Sequence, residues 1–409
     1  MVRLAEEIIE EILLRLPVKS LLRFRCVCKA WCTLISQPQF TKAHLCRQRT
    51  HPITQILVPP SVDSQPNDGF SVDLDFPLGL SSSKGSTAIL DSCHGLLCLV
   101  DGFYGFHIHQ PPHELVLWNP STRQSNHLPF PSFVNYSSCL YGFGYDSYSD
   151  DYKIVRVFSL SATHRTGFDV FSLKTNNWRR VQATHSSVIE YELATFFKGS
   201  VHWLARRPNG AGKRCVIVAF SFREEKVQEM ELPSKSVFFG LRVLGECLCV
   251  AGLCSYDLDS DEMWVMEEYG KKESWKRLIT FPYGTGDDSN GHFPRVLRFL
   301  ENGPLLVVHA EKLVLCDPKE NTWKNITTYK WTKFLQLDVA LYVETLVSPY
   351  GKNGTVITVP NTLEISKKEM KGTRREVEAD GTLMSLPNRR GINEQEERET
   401  NKEEEEEDK

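Results

Sequence analysis

The sequence predicts an α plus all-β chain in three parts: a small helical unit of three or four short helices, a β-propeller-like domain of about six blades, and a disordered acidic tail. Three observations carry that reading. Apolar residues recur at spacings of three and four over the first 35 residues, and strand-and-turn units then repeat every 47 to 53 residues. The end of the chain is crowded with charge and poor in aromatics. These shifts set the expected boundaries at 1–49, 50–350 and 351–409.

In the first part Leu4, Ile8, Ile9, Ile12, Leu13 and Leu16 keep a helical period, and Leu21, Leu22, Phe24, Val27, Cys28, Trp31, Leu34 and Ile35 continue it. Pro17 and Pro38 interrupt the pattern, and each is expected to open a new helix, because proline fits a first turn and breaks an interior one. The first helix carries two adjacent apolar stripes, one of Leu4, Ile8 and Ile12 and one of Ile9, Leu13 and Leu16. So short a segment cannot bury a core by itself. One stripe is therefore expected to pack on the following helices while the other stays available to a partner protein.

No Asp or Glu occurs from Ile12 to Val62, whereas Arg15, Lys19, Arg23, Arg25, Lys29, Lys42, Arg47 and Arg49 do, which makes this region a basic patch. The cations alternate with Leu22, Phe24 and Cys26 and do not form a groove-facing stripe, so nucleic acid is not the expected partner.

The second part alternates short apolar strands with turns. A strand, a polar turn and a Trp or Leu recur from Leu115 (LVLWNPSTRQSNHLP), Phe168, Val216, Met263 and Lys312. A second element, a turn residue leading into an apolar strand, recurs at His94, Lys198, Gly245 and Asn302. Each repeat thus holds about four strands, and a four-stranded unit cannot cover both its faces unless it stacks on neighbours around an axis. Ring closure is expected to pair Ile53–Val58 or Phe70–Phe76 with Leu337–Leu346. Trp178 and Trp323, which follow turns, are expected to pack on the neighbouring blade.

Several function classes are disfavoured. The apolar stretch Val237–Cys254 contains Arg242, Glu246 and glycines, so it reads as two buried strands and not as a membrane span. Arg3 is followed at once by acids rather than by an apolar leader, so the expected location is the cytoplasm or nucleus, with the twelve cysteines as thiols. The sets Cys26/Cys28/Cys32 and Cys247/Cys249/Cys254 lack paired metal-ligand knuckles and read as buried small hydrophobes, so neither a metal nor another cofactor is expected. His107, His109, His164, His185, Asp146, Asp150 and Asp151 are the candidates for a propeller enzyme, but no nucleophile elbow, phosphate loop or metal-spaced histidines accompany them. From Glu364 to Lys409 there are 15 acidic and 10 basic residues, which leaves residues 1–363 close to neutral at +1 and predicts a solvated tail.

The run LAEEIIEEILLRLPVKSLLRFRCVCKAWCTLI resembles the F-box, particularly its plant form, at nearly every position from Leu4 to Ile35, with one departure: Ala5 stands where the family usually has proline. Downstream, DSCHGLLCL, LWNPSTR, YGFGYDSYSDDYKIVRV, FKGSVHWLA and YVETLVSP resemble the F-box-associated, kelch-like domain over Asp91–Pro349, without the glycine doublets of true kelch repeats. The resemblance implies a non-catalytic substrate receptor of a ubiquitin ligase. Its F-box would bind a Skp-type adaptor and through it a cullin-RING assembly, and its β domain would bind an unknown protein substrate. The family's adaptor-facing positions fall here on Leu4, Ile8, Ile12, Leu16, Pro17, Leu21, Leu22, Val27, Cys28 and Trp31, with Arg15, Lys19, Arg23 and Arg25 steering toward an acidic partner. A scaffold that binds the adaptor without degrading its cargo fits the same residues. The longer segments Phe103–His113, Ser159–Gly167 and Tyr283–His292 are the expected substrate-binding loops.

Overall fold

The computed structural model describes residues 5–48, 54–58, 71–73, 86–103, 114–131, 139–160, 165–186, 188–189, 194–207, 215–233, 237–253, 260–282, 295–299, 304–309, 312–317, 319–320, 322–328 and 340–351. Four helices lead: α1 (Glu6–Leu14), α2 (Val18–Phe24), α3 (Lys29–Ile35) and α4 (Pro38–Gln48). Both prolines act as anticipated, Pro17 as the cap of α2 and Pro38 as the first residue of α4. Ala5 caps α1 without a side-chain bond, and Glu6 and Glu7 in the first turn face the positive end of the helix dipole. The helices enclose Leu13, Leu21, Ile35 and Phe40, and half-buried Ile9, Leu14, Leu16, Phe24, Trp31 and Leu34 surround them.

The strands begin with β1 (Thr54–Val58) and β2 (Ser71–Asp73). The first blade is β3 (Ser86–Cys93), β4 (Leu96–Phe103), β5 (Glu114–Asn119) and β6 (Gln124–His127), and the second is β7 (Cys139–Asp146), β8 (Asp151–Leu160), β9 (Arg165–Ser172) and β10 (Asn177–His185). In the third, β11 (Val188–Ile189) and β12 (Thr195–Phe197) share one edge of β13 (Ser200–Arg206), followed by β14 (Cys215–Ser221) and β15 (Val227–Glu231). The fourth is β16 (Val237–Leu244), β17 (Cys247–Leu253), β18 (Ser260–Met266) and β19 (Trp275–Pro282). The fifth is β20 (Arg295–Phe299), β21 (Leu305–His309), β22 (Lys312–Asp317) and β23 (Thr322–Thr328), and β24 (Ala340–Val343) comes last. The segment Val237–Cys254 is thus a pair of strands, β16 and β17, as its charges and glycines required.

The first strands of successive blades touch one another in turn, β3 with β7, β7 with β12, β12 with β16 and β16 with β20, so they line the axis. The middle strands are mostly buried because both faces are covered: β5 and β14 bury five consecutive residues each. Outer strands alternate, as in β10, where Trp178 and Val181 are buried between exposed arginines. A separate apolar core fills each described gap between sheets. Tyr141, Phe143, Phe171 and Trp178 meet the first blade, Phe168 and Phe220 stack between the second and third, Ile217 and Phe238 join the third and fourth, and Met263 and Val307 join the fourth and fifth.

Residue length over period anticipated about six blades; the structure has five blades of four or five strands and a sixth sheet with three described strands. That sixth sheet draws on both ends of the domain. Strand β1 pairs antiparallel with β24 (Thr54 opposite Val343) and parallel with β2 (Ile56 opposite Ser71), so it uses both segments anticipated for closure. The joint is tight. The turn His94-Gly95 has φ of 51° and 77°, and a Cβ on Gly95 would lie 2.3 Å from the Val343 carbonyl oxygen, so only glycine fits there.

After β24 the chain runs as a strap across the first blade. The Asn119 side-chain amide, fully buried, donates to the carbonyls of Thr345 (3.1 Å) and Val347 (2.7 Å), and Asn126 donates to that of Pro349 (3.0 Å). Tyr350 donates its hydroxyl to Ser125, and Tyr342 accepts from the Ser121 backbone, which accounts for the NPST turn doing more than reversing a hairpin.

Trp178 donates to the Pro129 carbonyl at 2.6 Å and Trp275 to that of Glu231 at 3.0 Å, each reaching the end of the preceding blade. Trp323 departs from the expectation: it is 37% exposed, and the chain just before its blade, 283–294, lies outside the described residues. Within the second blade, buried Asp169 accepts from Arg156 (3.1 Å to Nε) and from Arg180 (2.5 Å), and both guanidinium groups lie over the Phe158 ring.

Two outcomes are expected in chemical denaturation. Asn119→Ala strands two buried carbonyls of the strap and lowers stability by about 2–3 kcal/mol. Asp169→Ala leaves two guanidinium groups without their shared carboxylate and costs about 3–5 kcal/mol, more than Asp169→Ala paired with Arg156→Met.

Candidate docking surfaces

Helix α1 divides its two stripes between the core and solvent. Leu13 is buried and Ile9 and Leu16 are half-buried, while Ile8 and Ile12, four residues apart and so on one face, are 49% and 48% exposed. Val27, in the turn before α3, is the most exposed large aliphatic residue of the unit at 61%. Pro17 and Cys28 are also exposed, Leu16, Leu22 and Trp31 are half-buried, and the Trp31 ring leans on Phe24 at 5.4 Å. Leu21 is a correction: it is fully buried beside Leu13 and Phe40 and cannot meet a partner without opening the helices. Leu4 lies outside the described residues. Cys26 and Cys28 are exposed rather than buried, unlike Cys93, Cys98, Cys139, Cys249 and Cys316, and Cys254 lies outside the described residues.

The basic patch is partly neutralised by one acid nearby in sequence and two distant ones. Glu11 bridges Arg15 (2.8 Å) and Arg47 (2.9 Å), and these two guanidinium groups hold its carboxyl down at about 2. Lys19 faces Glu344 at 3.6 Å and Lys42 meets Asp150 at 2.6 Å, so two of the cations serve as ties to the β domain. Arg23 and Lys29 stay exposed beside Val27.

Apolar contacts reinforce those ties in both directions. Leu45 of α4 packs on the core between the first two blades, and Leu346 of the strap packs on the helical core. His44, buried on α4, lies 2.9 Å from the Leu16 carbonyl, and burial pushes its imidazole pKa below the usual 6.5. The helical unit therefore sits on the propeller face formed by the reversals between first and second strands (94–95, 147–150) and between third and fourth strands (120–123, 173–176).

The opposite face bears the connections between second and third strands and between blades. The three expected substrate loops all join strand ends there: 103–113 between β4 and β5, 159–167 between β8 and β9, and 283–292 between β19 and β20. The loops themselves fall largely outside the described residues.

Of the residues weighed as a catalytic set, those among the described residues take part in structural contacts. Asp146 accepts from Lys153 (2.7 Å) and from the Tyr148 amide; Asp150 accepts from Lys42 and the Tyr145 hydroxyl; Asp151 accepts from Ser172 and the Lys174 amide. His185 faces Glu229 at 3.3 Å, and His107, His109 and His164 lie outside the described residues. Sequence reading missed the Asn119–strap and Lys42–Asp150 contacts because their partners are 228 and 108 residues apart. The only advance signal was that both NPST and ETLVSP stood out as motifs.

A helical unit with an exposed apolar face is thus held on a propeller whose longest strand connections start from the opposite face. The comparisons make the class specific. Residues 1–43 match the F-box domain and residues 77–350 match the F-box associated beta propeller domain, so the chain belongs to the F-box proteins that carry this propeller. It is 31% identical to the F-box protein CPR1 of Arabidopsis thaliana, over 67% of this chain and 72% of that one. An F-box/kelch-repeat protein of the same plant is 27% identical over 68% of this chain and 79% of its own, and another of its F-box proteins is 26% identical over 79% and 87%. The F-box is the module that binds Skp1 adaptors in SCF complexes. Among the described residues no helix is long and apolar enough to cross a membrane.

The buried His44 sets a pH dependence. Its neutral form is favoured by folding, so the contribution is complete above pH 6.5 and is lost as pH falls below that value, where the unfolded chain takes up the proton more readily. Protection factors of the α1 and α4 amides, which correct for the intrinsic slowing of exchange in acid, are expected to fall between about pH 7.5 and about pH 5.5, and His44→Gln to reduce that difference.

Proposed function

We propose that this protein is the substrate-recognition subunit of an SCF-type ubiquitin ligase, in which the F-box docks on a Skp-type adaptor and the propeller captures a target protein. The observation that carries the reading is the exposure of Ile8 and Ile12 on one face of α1 and of Val27 in the turn before α3, on a unit whose core is Leu13, Leu21, Ile35 and Phe40. Such a stripe gains by being covered, at about 25 cal/mol for each Å² removed from water. Pro17 and Cys28 are exposed and Leu16, Leu22 and Trp31 half-buried in the same helical unit, and Arg23 and Lys29 add attraction for an acidic partner.

Catalysis in this reading happens elsewhere. The adaptor connects to a cullin scaffold that holds the RING subunit and a ubiquitin-charged conjugating enzyme, and a target held by the propeller meets the thioester at high effective concentration. The contacts of the F-box with the propeller, through Lys42–Asp150, Leu45 and Leu346, support this, since a seated F-box holds the target within reach of the conjugating enzyme. The expected compartment is the cytoplasm or nucleus, where exposed thiols such as Cys26 and Cys28 stay reduced.

The purified full chain is expected to form a stable complex with a Skp-type adaptor in size-exclusion chromatography and calorimetry. Ile12→Glu and Val27→Glu are expected to weaken that complex at least about tenfold, or about 1.4 kcal/mol, while leaving thermal melting of the propeller in place. Adaptor affinity that is unchanged in both variants would sink the proposal.

A further inference from the structure

The axis of the ring holds a cation that the fold leaves without an ion-pair partner. Arg242 lies two residues from the end of β16, the innermost strand of the fourth blade, and is half-buried. Its neighbours divide between two cores. Leu241 and Val243 pack toward the third blade, while Leu244 and Cys249, the residue opposite Arg242 in the register, pack toward the fifth. Arg242 joins neither core. Its guanidinium donates at 2.8 Å to the Leu241 carbonyl, which also accepts from the Thr195 hydroxyl at 2.7 Å, and among the described residues it forms no ion pair.

The charge of Asp91 acts on Arg242 from β3, where it too lies two residues from the strand end and so at the same depth. The first and fourth blades stand three places apart in a ring of six sheets, so this influence passes across the axis and both side chains border it. The Asp91 carboxylate accepts from the amides of Ser92 (2.7 Å) and, on the third blade, Phe196 (3.3 Å), so the channel is narrow at this depth. Burial pushes the Arg242 pKa down to about 10, and Asp91 offsets only part of that effect.

A guanidinium drawn partly out of water is stabilised by an anion in contact with it. Its planar fork matches a carboxylate, two oxygens to two N–H groups, whereas the fixed negative charge of Asp91 disfavours a dianion such as phosphate. The F-box end of the channel offers the shorter way in. A Cβ at Gly245, in the reversal just after β16, or at Gly199 of the third blade would meet nothing within 4 Å, in contrast to the packed Gly95. The long connections start from the other face, so an occupant here does not compete with a target held by them.

We propose that the axial channel, at the F-box end of the propeller, binds a small molecule bearing one carboxylate, with Arg242 as its ion-pair partner. This inference goes beyond the receptor reading and does not depend on it.

The test uses the full chain at constant ionic strength, with acetate, benzoate, inorganic phosphate and ethylammonium as probes, read by calorimetry and by the shift of thermal melting. Saturable binding of acetate or benzoate is expected, with none of ethylammonium. Arg242→Gln is expected to weaken it at least about tenfold, and Lys226→Gln, at an exposed cation of the third blade, to leave it unchanged. Asp91→Asn keeps an acceptor for the Phe196 amide and removes the opposing charge, so carboxylate binding is expected to tighten by about threefold. Such a gain cannot come from misfolding, and it decides the matter if Arg242→Gln does not fold. The proposal is overturned if neither carboxylate binds saturably, if phosphate binds the unmodified chain more tightly than both, if Arg242→Gln binds as the unmodified chain does, or if Asp91→Asn gains nothing.

Discussion

A ring of blades is held shut by the pairing of its two ends, and here that pairing is β1 against β24, continued by the strap from Glu344 to Gly351. The strap lies where three bodies meet. Asn119 and Asn126 of the first blade hold its carbonyls, Val347 enters the core shared with the second blade, and Leu346 enters the helical core. Each contact is modest, about 1 kcal/mol for a hydrogen bond and somewhat more for a buried aliphatic side chain. They act together because they share one short backbone, so ring closure and F-box placement depend on the same residues.

The placement of the F-box follows from that joint. The helical unit has five fully buried apolar side chains among the described residues, too few for independence, and the propeller supplies further cover through Leu346 and the surface that receives Leu45. What the propeller does not cover is the stripe of Ile8 and Ile12 together with Val27. The surface left bare is thus a consequence of which surface was used. The basic residues divide in the same way, Lys19 and Lys42 turning inward to Glu344 and Asp150 while Arg23 and Lys29 remain outside.

Much of the fold was legible in the sequence because it rests on local rules. Helical spacing and two prolines gave the helices and their starts, and the recurring strand-turn-Trp units gave the blades. The approximate blade number came out close, with five blades and a sixth sheet, and that sheet differs for a physical reason: it is assembled from segments nearly 290 residues apart and has three described strands. The docking positions were less legible. Leu21 and Ile12 have the same hydrophobicity class and similar local spacing, and only the packing of α2 against the helical core distinguishes the buried one from the exposed one.

By itself, the order of residues determined the element types, the family motifs and the segregation of charge, since each depends on neighbours within about one repeat. The tertiary structure alone decided which distant acids neutralise which bases, that Asp150 of the acid-rich turn meets Lys42 of α4, and that the long connections start from the face opposite the F-box. Those outcomes depend on contacts between residues a hundred or more positions apart, and no periodicity in a linear chain encodes which of many chemically suitable partners will arrive at the same point in space.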